Sequence, residues 1–317
     1  MLVAMLAVVC AACATTTHAQ ERTIRRPTTT TSKAVRSSMR AVDRLCAFRG
    51  LGTWVDVYDT EAAFADGPPP VHVDAVARMH SVGVHTLYLQ VAKDDPRSVG
   101  LLADPKLAGE FLVRAHQLRM EVVAWYLPTH RDPALDTDRA LALARFRSHG
   151  QRFDGLALDI EGTSAVPNVA ERNRRLLATA VALDRAAGNR PVGAIVYPPV
   201  ATDLLNPDLW PDFPWKQLAA HVDVWLPMAY WTFRSSGTIY RDAYRYSREN
   251  IERIRDHVGD QAAVHLIGGI ADTTSLNDEQ GFMRASRDAH AIGASLYDFN
   301  TMRAGAWPTL RQTAPHC

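Results

Sequence analysis

Short apolar segments alternate with amphipathic ones eight times between residue 52 and the C-terminus, and no other feature limits the fold of this chain as strongly. The apolar segments are rich in β-branched and aromatic residues, which favours buried strands. They span residues 52–59, 85–92, 121–128, 153–162, 191–198, 223–231, 263–272 and 293–300. The clearest helical patterns lie between them, at 73–81, 105–119, 137–149, 170–187, 241–257 and 278–291.

This alternation predicts parallel βαβ units with right-handed crossovers, in a sheet that helices cover. Eight units within about 265 residues are the number that closes a barrel. We therefore predict an α/β protein with a single (β/α)8 TIM barrel over residues 49–317. A doubly wound open sheet is the alternative, but no Gly-x-Gly-x-x-Gly motif follows a strand, so a dinucleotide-binding fold has no support.

The N-terminus predicts export. Residues 1–13 are apolar but too few to span a bilayer, so they resemble the core of a secretory signal. Cys13 follows two alanines, as the lipidated cysteine of a bacterial lipobox does, although Cys10 stands where a leucine is usual. We expect a lipoprotein held at the outer face of the cell membrane through Cys13; a cleaved signal peptide and secretion are the alternative.

Residues 14–48 are expected to form a flexible tether rich in threonine and basic residues. Such a segment suits an anionic membrane or wall polymer, or it is simply a solvated linker. The whole chain carries a net charge of only +1, which gives no support for nucleic-acid binding. Its histidines are scattered, without a His-x-His or His-Glu-x-x-His motif, so we expect no metal and no cofactor.

Two acidic residues close the fourth predicted strand, in the sequence FDGLALDIEG. Because side chains alternate along a strand, Asp159 and Glu161 share one face and point into the barrel mouth, where TIM-barrel active sites lie. Two carboxyls this close cannot both ionise freely, so one pKa should rise. A carboxylic acid with a raised pKa suits proton donation to a glycosidic oxygen, so we predict Glu161 as the general acid and Asp159 as its electrostatic partner. Salt bridges to neighbouring basic residues are the structural alternative.

The same segment resembles the fourth strand of family 18 glycoside hydrolases, the chitinase-like barrels, which reads Asp-Gly-x-Asp-x-Asp-x-Glu. Asp154 and Gly155 match its opening pair. Asp159 matches its last Asp and Glu161 its catalytic acid, whereas Ala157 replaces its middle Asp.

Further matches lie on later strands. Met228, Tyr230 and Trp231 stand where that family has Met, Tyr and Asp on its sixth strand. Tyr297 stands where it has an aromatic residue on its eighth. The resemblance implies a glycan substrate whose acetamido group attacks the anomeric carbon. The loss of two of the family's Asp residues, at Ala157 and Trp231, weakens the case for that mechanism, but the catalytic acid of the motif is retained as Glu161. The Asp-x-Glu pattern and the strand that carries Asp56 are also similar to family 25 lysozyme-type barrels.

Aromatic and polar residues at the strand ends are candidates for substrate binding. The residues expected to contact the substrate are Asp56, Gln90, Tyr197, Met228, Tyr230, Trp231 and Tyr297. The Pro-rich loop at 198–215 adds Trp210, Phe213 and Trp215, which either stack on sugar rings or pack the loop down.

These residues support two functions. The first is an exported glycosidase that acts on an envelope or extracellular polysaccharide. The second is a barrel without catalysis that binds envelope polysaccharide as a lectin or scaffold, because the fold alone does not determine activity.

Cys46 and Cys317 are predicted to form a disulfide. Cys46 precedes the first strand, and Cys317 follows the last helical segment, so both should lie at the bottom of a closed barrel. Strands one and eight are neighbours there, and an exported protein meets an oxidising compartment. Two free thiols are the alternative.

Overall fold

The structure, a computed structural model, describes residues 44–98 and 100–317. The predicted leader, the lipidation site at Cys13 and residues 14–43 of the predicted tether lie outside the described residues. Among the helices that the structure describes, none is both long and apolar enough to cross a membrane.

Eight parallel strands form one closed barrel in chain order, and the first strand pairs with the eighth. The predicted (β/α)8 barrel is therefore confirmed. The strands are β1 (Gly50–Val55), β2 (Thr86–Lys93), β3 (Glu121–Leu127), β4 (Gly155–Ile160), β5 (Val192–Val196), β6 (Val224–Pro227), β7 (Ala263–Ile270) and β8 (Gly293–Tyr297). The helices are α1 (Val57–Thr60), α2 (Ala75–Ser81), α3 (Pro105–Gln117), α4 (Pro133–Arg145), α5 (Val169–Ala187), α6 (Trp215–Leu218), α7 (Ala243–Val258), α8 (Leu276–Asp288) and α9 (Trp307–Leu310).

Apolar side chains pack in two layers, one inside the barrel and one between strands and helices. Along β4, Leu156, Leu158 and Ile160 belong to the outer layer, and Ala157 belongs to the inner one. This is the alternation predicted from the sequence, and it confirms that Asp159 faces inward with Ala157.

β1 ends earlier than predicted. Asp56 is not within the strand. Its carboxylate caps the one-turn helix α1, because it accepts hydrogen bonds from the backbone N–H groups of Tyr58 and Asp59. Tyr58 therefore does not continue the inner face of Trp54, and 43% of its surface is exposed.

A one-turn helix, Cys46–Phe48, closes the bottom of the barrel. The Phe48 ring is fully buried against Gly155 and Gly193, where an added Cβ would lie 2.9 and 2.7 Å from the ring. Glycine at these two positions therefore makes room for the ring. Because Ala47 and Phe48 are buried, the packed barrel begins slightly before the expected boundary at residue 49.

The predicted disulfide is confirmed. Cys46 and Cys317 are bonded with their Cα atoms 5.7 Å apart, so the last residue of the chain is joined to the segment that precedes β1. Next to it, the Arg44 guanidinium pairs with the Asp223 carboxylate at 2.8 Å, just before β6 begins.

Candidate active site

The predicted carboxyl pair lies at the C-terminal end of β4. Asp159 is buried within the strand, and its Oδ1 atom has no hydrogen-bond partner among residues 44–98 and 100–317. Burial raises the pKa of Asp159 well above its usual value, and the charge of Glu161 raises it further. Burial also raises the pKa of Glu161, which is less enclosed. The two carboxyls titrate together, so the pair keeps a proton at pH values where a free carboxyl has lost it.

Lys93, a residue that the sequence reasoning missed, faces this pair. Its positive charge lowers the pKa of both carboxyls, against the larger effect of burial. Strict alternation from Tyr88 would turn Lys93 outward, but the pairing of β2 with β3 shifts register between Gln90 and Ala92. The irregularity reverses the alternation and brings the ammonium group to the mouth.

Two tyrosines contact or adjoin the pair. The Tyr197 hydroxyl donates a hydrogen bond to the backbone carbonyl of Glu161 at 3.0 Å, which fixes the chain just after β4. Burial raises the pKa of Tyr230, and the charges of Asp159 and Glu161 raise it further. Tyr230 is therefore a neutral hydroxyl close to both carboxyls.

A second acidic group lies at the ends of β1 and β8, where Asp56, Asp59 and Asp298 bring one oxygen each within 4.8 Å of one another. Such oxygens are the kind that could ligate a cation. However, Asp56 accepts hydrogen bonds from the Tyr297 hydroxyl and from two backbone N–H groups. Burial, with the charges of Asp298 and Asp56, raises the pKa of Asp59 to about 7. The group orders the loops after β1 and β8, and Asp56 and Tyr297 are partners of each other within it.

A cavity of about 270 Å³ opens beside Glu161. Tyr197, Met228 and Tyr230, which the sequence predicts to contact the substrate, line it. The remaining lining residues come from the segments after β5 and β6 and from α7, and they are Pro198, Ala201, Leu205, Asn206, Leu209, Phe233, Arg234 and Tyr246.

Gln90, also expected to contact the substrate, lies elsewhere. Its side chain is buried, and its Oε1 atom accepts a hydrogen bond from the Val57 backbone N–H at 3.2 Å. Gln90 thus holds the turn that follows β1.

The barrel is similar to solved glycoside hydrolases. A class V chitinase from Pseudomonas fluorescens Pf-5 is 13% identical, with a TM-score of 0.57 over 83% of this chain and 99% of that one. The spore cortex-lytic enzyme SleL from Bacillus cereus is 11% identical, with a TM-score of 0.58 over 84% of this chain and 75% of that one. A GH5_18 enzyme variant from Streptomyces cattleya, in complex with Manb1-4GlcNAc, is 13% identical, with a TM-score of 0.60 over 79% of this chain and 71% of that one.

This chain has the fold of these hydrolases. No protein-family model matches its sequence, and no curated protein matches it either. The resemblance drawn from the β4 and β6 motifs is therefore confirmed at the level of the barrel.

Within this hydrolase fold, Trp231 does not lie where it was expected. It is fully buried, packs on the Phe282 ring of α8 at 5.3 Å, and fits because Gly269 carries no side chain. Since β6 ends at Pro227, strand alternation does not extend to Trp231, and the short helix Trp231–Phe233 turns its ring away from the mouth. Trp231 therefore stabilises the outer layer and has no surface to offer a substrate.

The loop aromatics mostly pack the loop down. Trp210 is buried, and its indole N–H donates to the Asn173 side chain at 2.8 Å. Trp215 is also buried and stacks on His257. Phe233 is different, because 64% of its surface is exposed at the cavity.

Proposed function

We propose that this protein hydrolyses O-glycosidic bonds in an envelope or extracellular polysaccharide, with Glu161 as the general acid. The observation that carries the proposal is the pair of carboxyls at the barrel mouth, where Asp159 is buried and the half-buried Glu161 lines a cavity. The fold supports it, since the similar barrels include chitinases and an enzyme bound to Manb1-4GlcNAc.

The chemistry follows from how the pair shares its protons. Burial opposes two negative charges on Asp159 and Glu161, while the positive charge of Lys93 favours one. The pair therefore keeps a proton at pH values where a free carboxyl has lost it, and Asp159, whose pKa is raised well above its usual value, is the favoured site for that proton before the reaction. Glu161 lines the cavity, so it is placed to give the shared proton to the glycosidic oxygen. Asp159 lies deeper, and once the shared proton lies on Glu161 its carboxylate stabilises the positive charge that develops on the sugar ring.

The tyrosines orient this pair. Tyr197 holds the Glu161 backbone, and the neutral Tyr230 hydroxyl is a donor beside the carboxyls. Such preorganised donors add to catalysis because they need no rearrangement during the reaction.

The test is hydrolysis of a polysaccharide panel by the wild-type protein and by Glu161→Gln. The substitution keeps the shape and removes the proton, so kcat should fall by roughly 10²–10⁴ while binding is nearly kept. Glu110→Gln is the matched control, because Glu110 pairs with Lys106 on the exposed side of α3 and should leave kcat unchanged. A Glu161→Gln protein that keeps most of its activity on a hydrolysed glycan would refute the assignment.

A carbohydrate-binding barrel without catalysis is the second candidate. Ala157 and the buried Trp231 stand where the similar family has acidic residues, which favours this function. It predicts glycan binding that Glu161→Gln does not weaken and no hydrolysis of any bound glycan.

The protein is proposed to act outside the cytoplasm. The apolar leader with Cys13 supports attachment to the outer face of the cell membrane or secretion. The Cys46–Cys317 disulfide also supports export, since such bonds persist in oxidising compartments.

A further inference from the structure

The cavity beside Glu161 holds a cation that the proposed chemistry does not use. Arg234 directly follows the short helix Trp231–Phe233, and its backbone N–H bonds to the Trp231 carbonyl at 2.9 Å. Its side chain is half-buried, and among the described residues that line the cavity it is the one with a basic side chain.

The Arg234 guanidinium has no acidic partner in the part of the chain that the structure describes, since none of the ion pairs there includes it. Its Nε atom is buried without a hydrogen-bond partner, and its carbon lies 5.7 Å from the centroid of the Tyr246 ring. Unpartnered Nε atoms occur in other arginines as well, but the terminal nitrogens of Arg139 and Arg190 donate within the protein, to Asp94 at 2.8 Å and to the Ala144 carbonyl at 2.6 Å.

A second polar residue lines the same cavity. Tyr246 lines it from α7, and its buried hydroxyl also has no hydrogen-bond partner among the described residues. Both of these atoms are buried, so a ligand in the cavity would meet the Arg234 guanidinium through its terminal nitrogens, which make no hydrogen bond among the described residues.

The rest of the cavity suits a sugar ring. Its volume of about 270 Å³ is at the lower end of the range for ligand sites, which fits one ring rather than a long segment. Phe233 offers an exposed aromatic face, and Leu205, 45% exposed, adds apolar surface.

We infer that this cavity binds a sugar residue that carries a free carboxylate, next to the scissile bond, with Arg234 as the residue that recognises it. The guanidinium fork matches a carboxylate with two parallel hydrogen bonds. A single cation without a second basic residue in the lining suits a single negative charge. The inference rests on the proposed glycosidase function and names its substrate class: hexuronic acids, or amino sugars that bear a lactyl ether.

The experiment measures binding by calorimetry in the Glu161→Gln background, so that no glycan is cleaved. The probes are trigalacturonic acid and the N-acetylglucosamine–N-acetylmuramic acid disaccharide, each compared with its carboxyl-reduced, neutral counterpart. At least one acidic probe should bind about 10–100-fold more tightly than its counterpart, and Arg234→Gln should remove that preference. The probe that shows the preference distinguishes the uronic acid from the lactyl ether.

Two further variants keep the result interpretable. Arg234→Lys keeps the positive charge but lacks the two parallel N–H donors of the guanidinium, so it should retain part of the preference for the acidic probe over the neutral one. Arg241→Gln is the matched control, because Arg241 pairs with Asp278 outside the cavity, and it should leave binding unchanged. Equal binding of the acidic and neutral probes, or a preference that survives Arg234→Gln, would overturn the inference.

The two proposals fail separately. Hydrolysis of neutral glycans that depends on Glu161 but not on Arg234 would leave the proposed function intact and overturn the carboxylate site. Arg234-dependent binding of an acidic probe, without hydrolysis of that glycan by the wild-type protein, would support the site and favour the non-catalytic barrel.

Discussion

Replacing Asp159 with asparagine is expected to stabilise the protein relative to wild type as the pH rises, although it removes the proposed electrostatic partner of Glu161. Asp159 is 7% exposed, and its Oδ1 atom has no hydrogen-bond partner within the described chain. Burial and the charge of Glu161 raise its pKa, so the folded state prefers the protonated carboxyl. Asparagine has a similar shape and carries no charge at any pH.

The sign and size of the effect follow from proton linkage. A group whose pKa is raised by folding stabilises the protein fully below its unfolded pKa of about 3.9, and this stabilisation is lost as the pH rises towards the folded pKa. The loss is about 1.4 kcal/mol per pH unit while the folded state holds one more proton than the unfolded state. For the roughly 270 residues that the structure describes, this corresponds to a difference in Tm that widens by about 2–3 °C per pH unit.

Thermal unfolding of the wild-type protein and of Asp159→Asn, at half-unit steps from pH 4.5 to 7.5, measures this difference. The other carboxyls with raised pKa values, apart from Glu161, which titrates together with Asp159, contribute equally in both proteins and cancel. Glu110→Gln, an exposed substitution on α3, should give a constant difference from wild type at every pH. If the Tm of Asp159→Asn also differs from that of the wild-type protein by a constant amount, the reasoning is refuted. A Tm difference that narrows with rising pH would show that Asp159 is ionised and stabilises the fold.

Three further outcomes are expected. A chain that begins at Arg44 should show no reactive thiols before reduction and two after it, from Cys46 and Cys317. Reduction should lower the free energy of unfolding by about 5–6 kcal/mol, because the bond joins residues with a sequence separation of 271. Two reactive thiols in unreduced, denatured protein would contradict the bond. The same chain should match the Tm of the full-length protein within about 2 °C, and a larger drop in a melting curve would show that the preceding residues pack on the barrel. Tyr197→Phe should lower kcat about 3–10-fold with little change in KM, because the Glu161 backbone loses a hydrogen bond worth about 0.5–1.5 kcal/mol. Unchanged steady-state kinetics would argue against this positioning role of Tyr197.

The barrel and the pair on β4 could be predicted because both depend on regular patterns. Eight repeats of strand and helix leave few alternatives to closure, and alternation along β4 placed Asp159 correctly. The disulfide followed from topology, since Cys46 and Cys317 flank neighbouring strands at one end of a closed barrel.

The misplaced residues lie where a regular pattern stops. Lys93 follows a register shift that no periodicity reveals, and Trp231 lies beyond the end of β6 on a short helix. Asp56 could have been placed better, because an Asp three residues before another Asp is typical of a helix start. In the same way, Asp132 caps α4 with Pro133 in its first turn, so that helix begins four residues before the predicted position.

Arg234 was missed for a different reason. It follows no strand directly and belongs to no motif, and only the structure shows that its charge has no acidic partner among the described residues. The sequence alone does not distinguish such an arginine from one on a solvated surface.

The plug formed by Phe48 and the Cys46–Cys317 bond has a consequence for how the molecule is presented to its surroundings. Arg44 and the last residue of the chain both lie at the end of the barrel opposite the mouth. Whatever holds the residues before Arg44 therefore holds the protein by its closed base. If a surface lies against that base, the mouth faces away from the surface, at a distance equal to the height of the barrel. The mouth would then be open to polymer strands around the protein rather than to the surface itself.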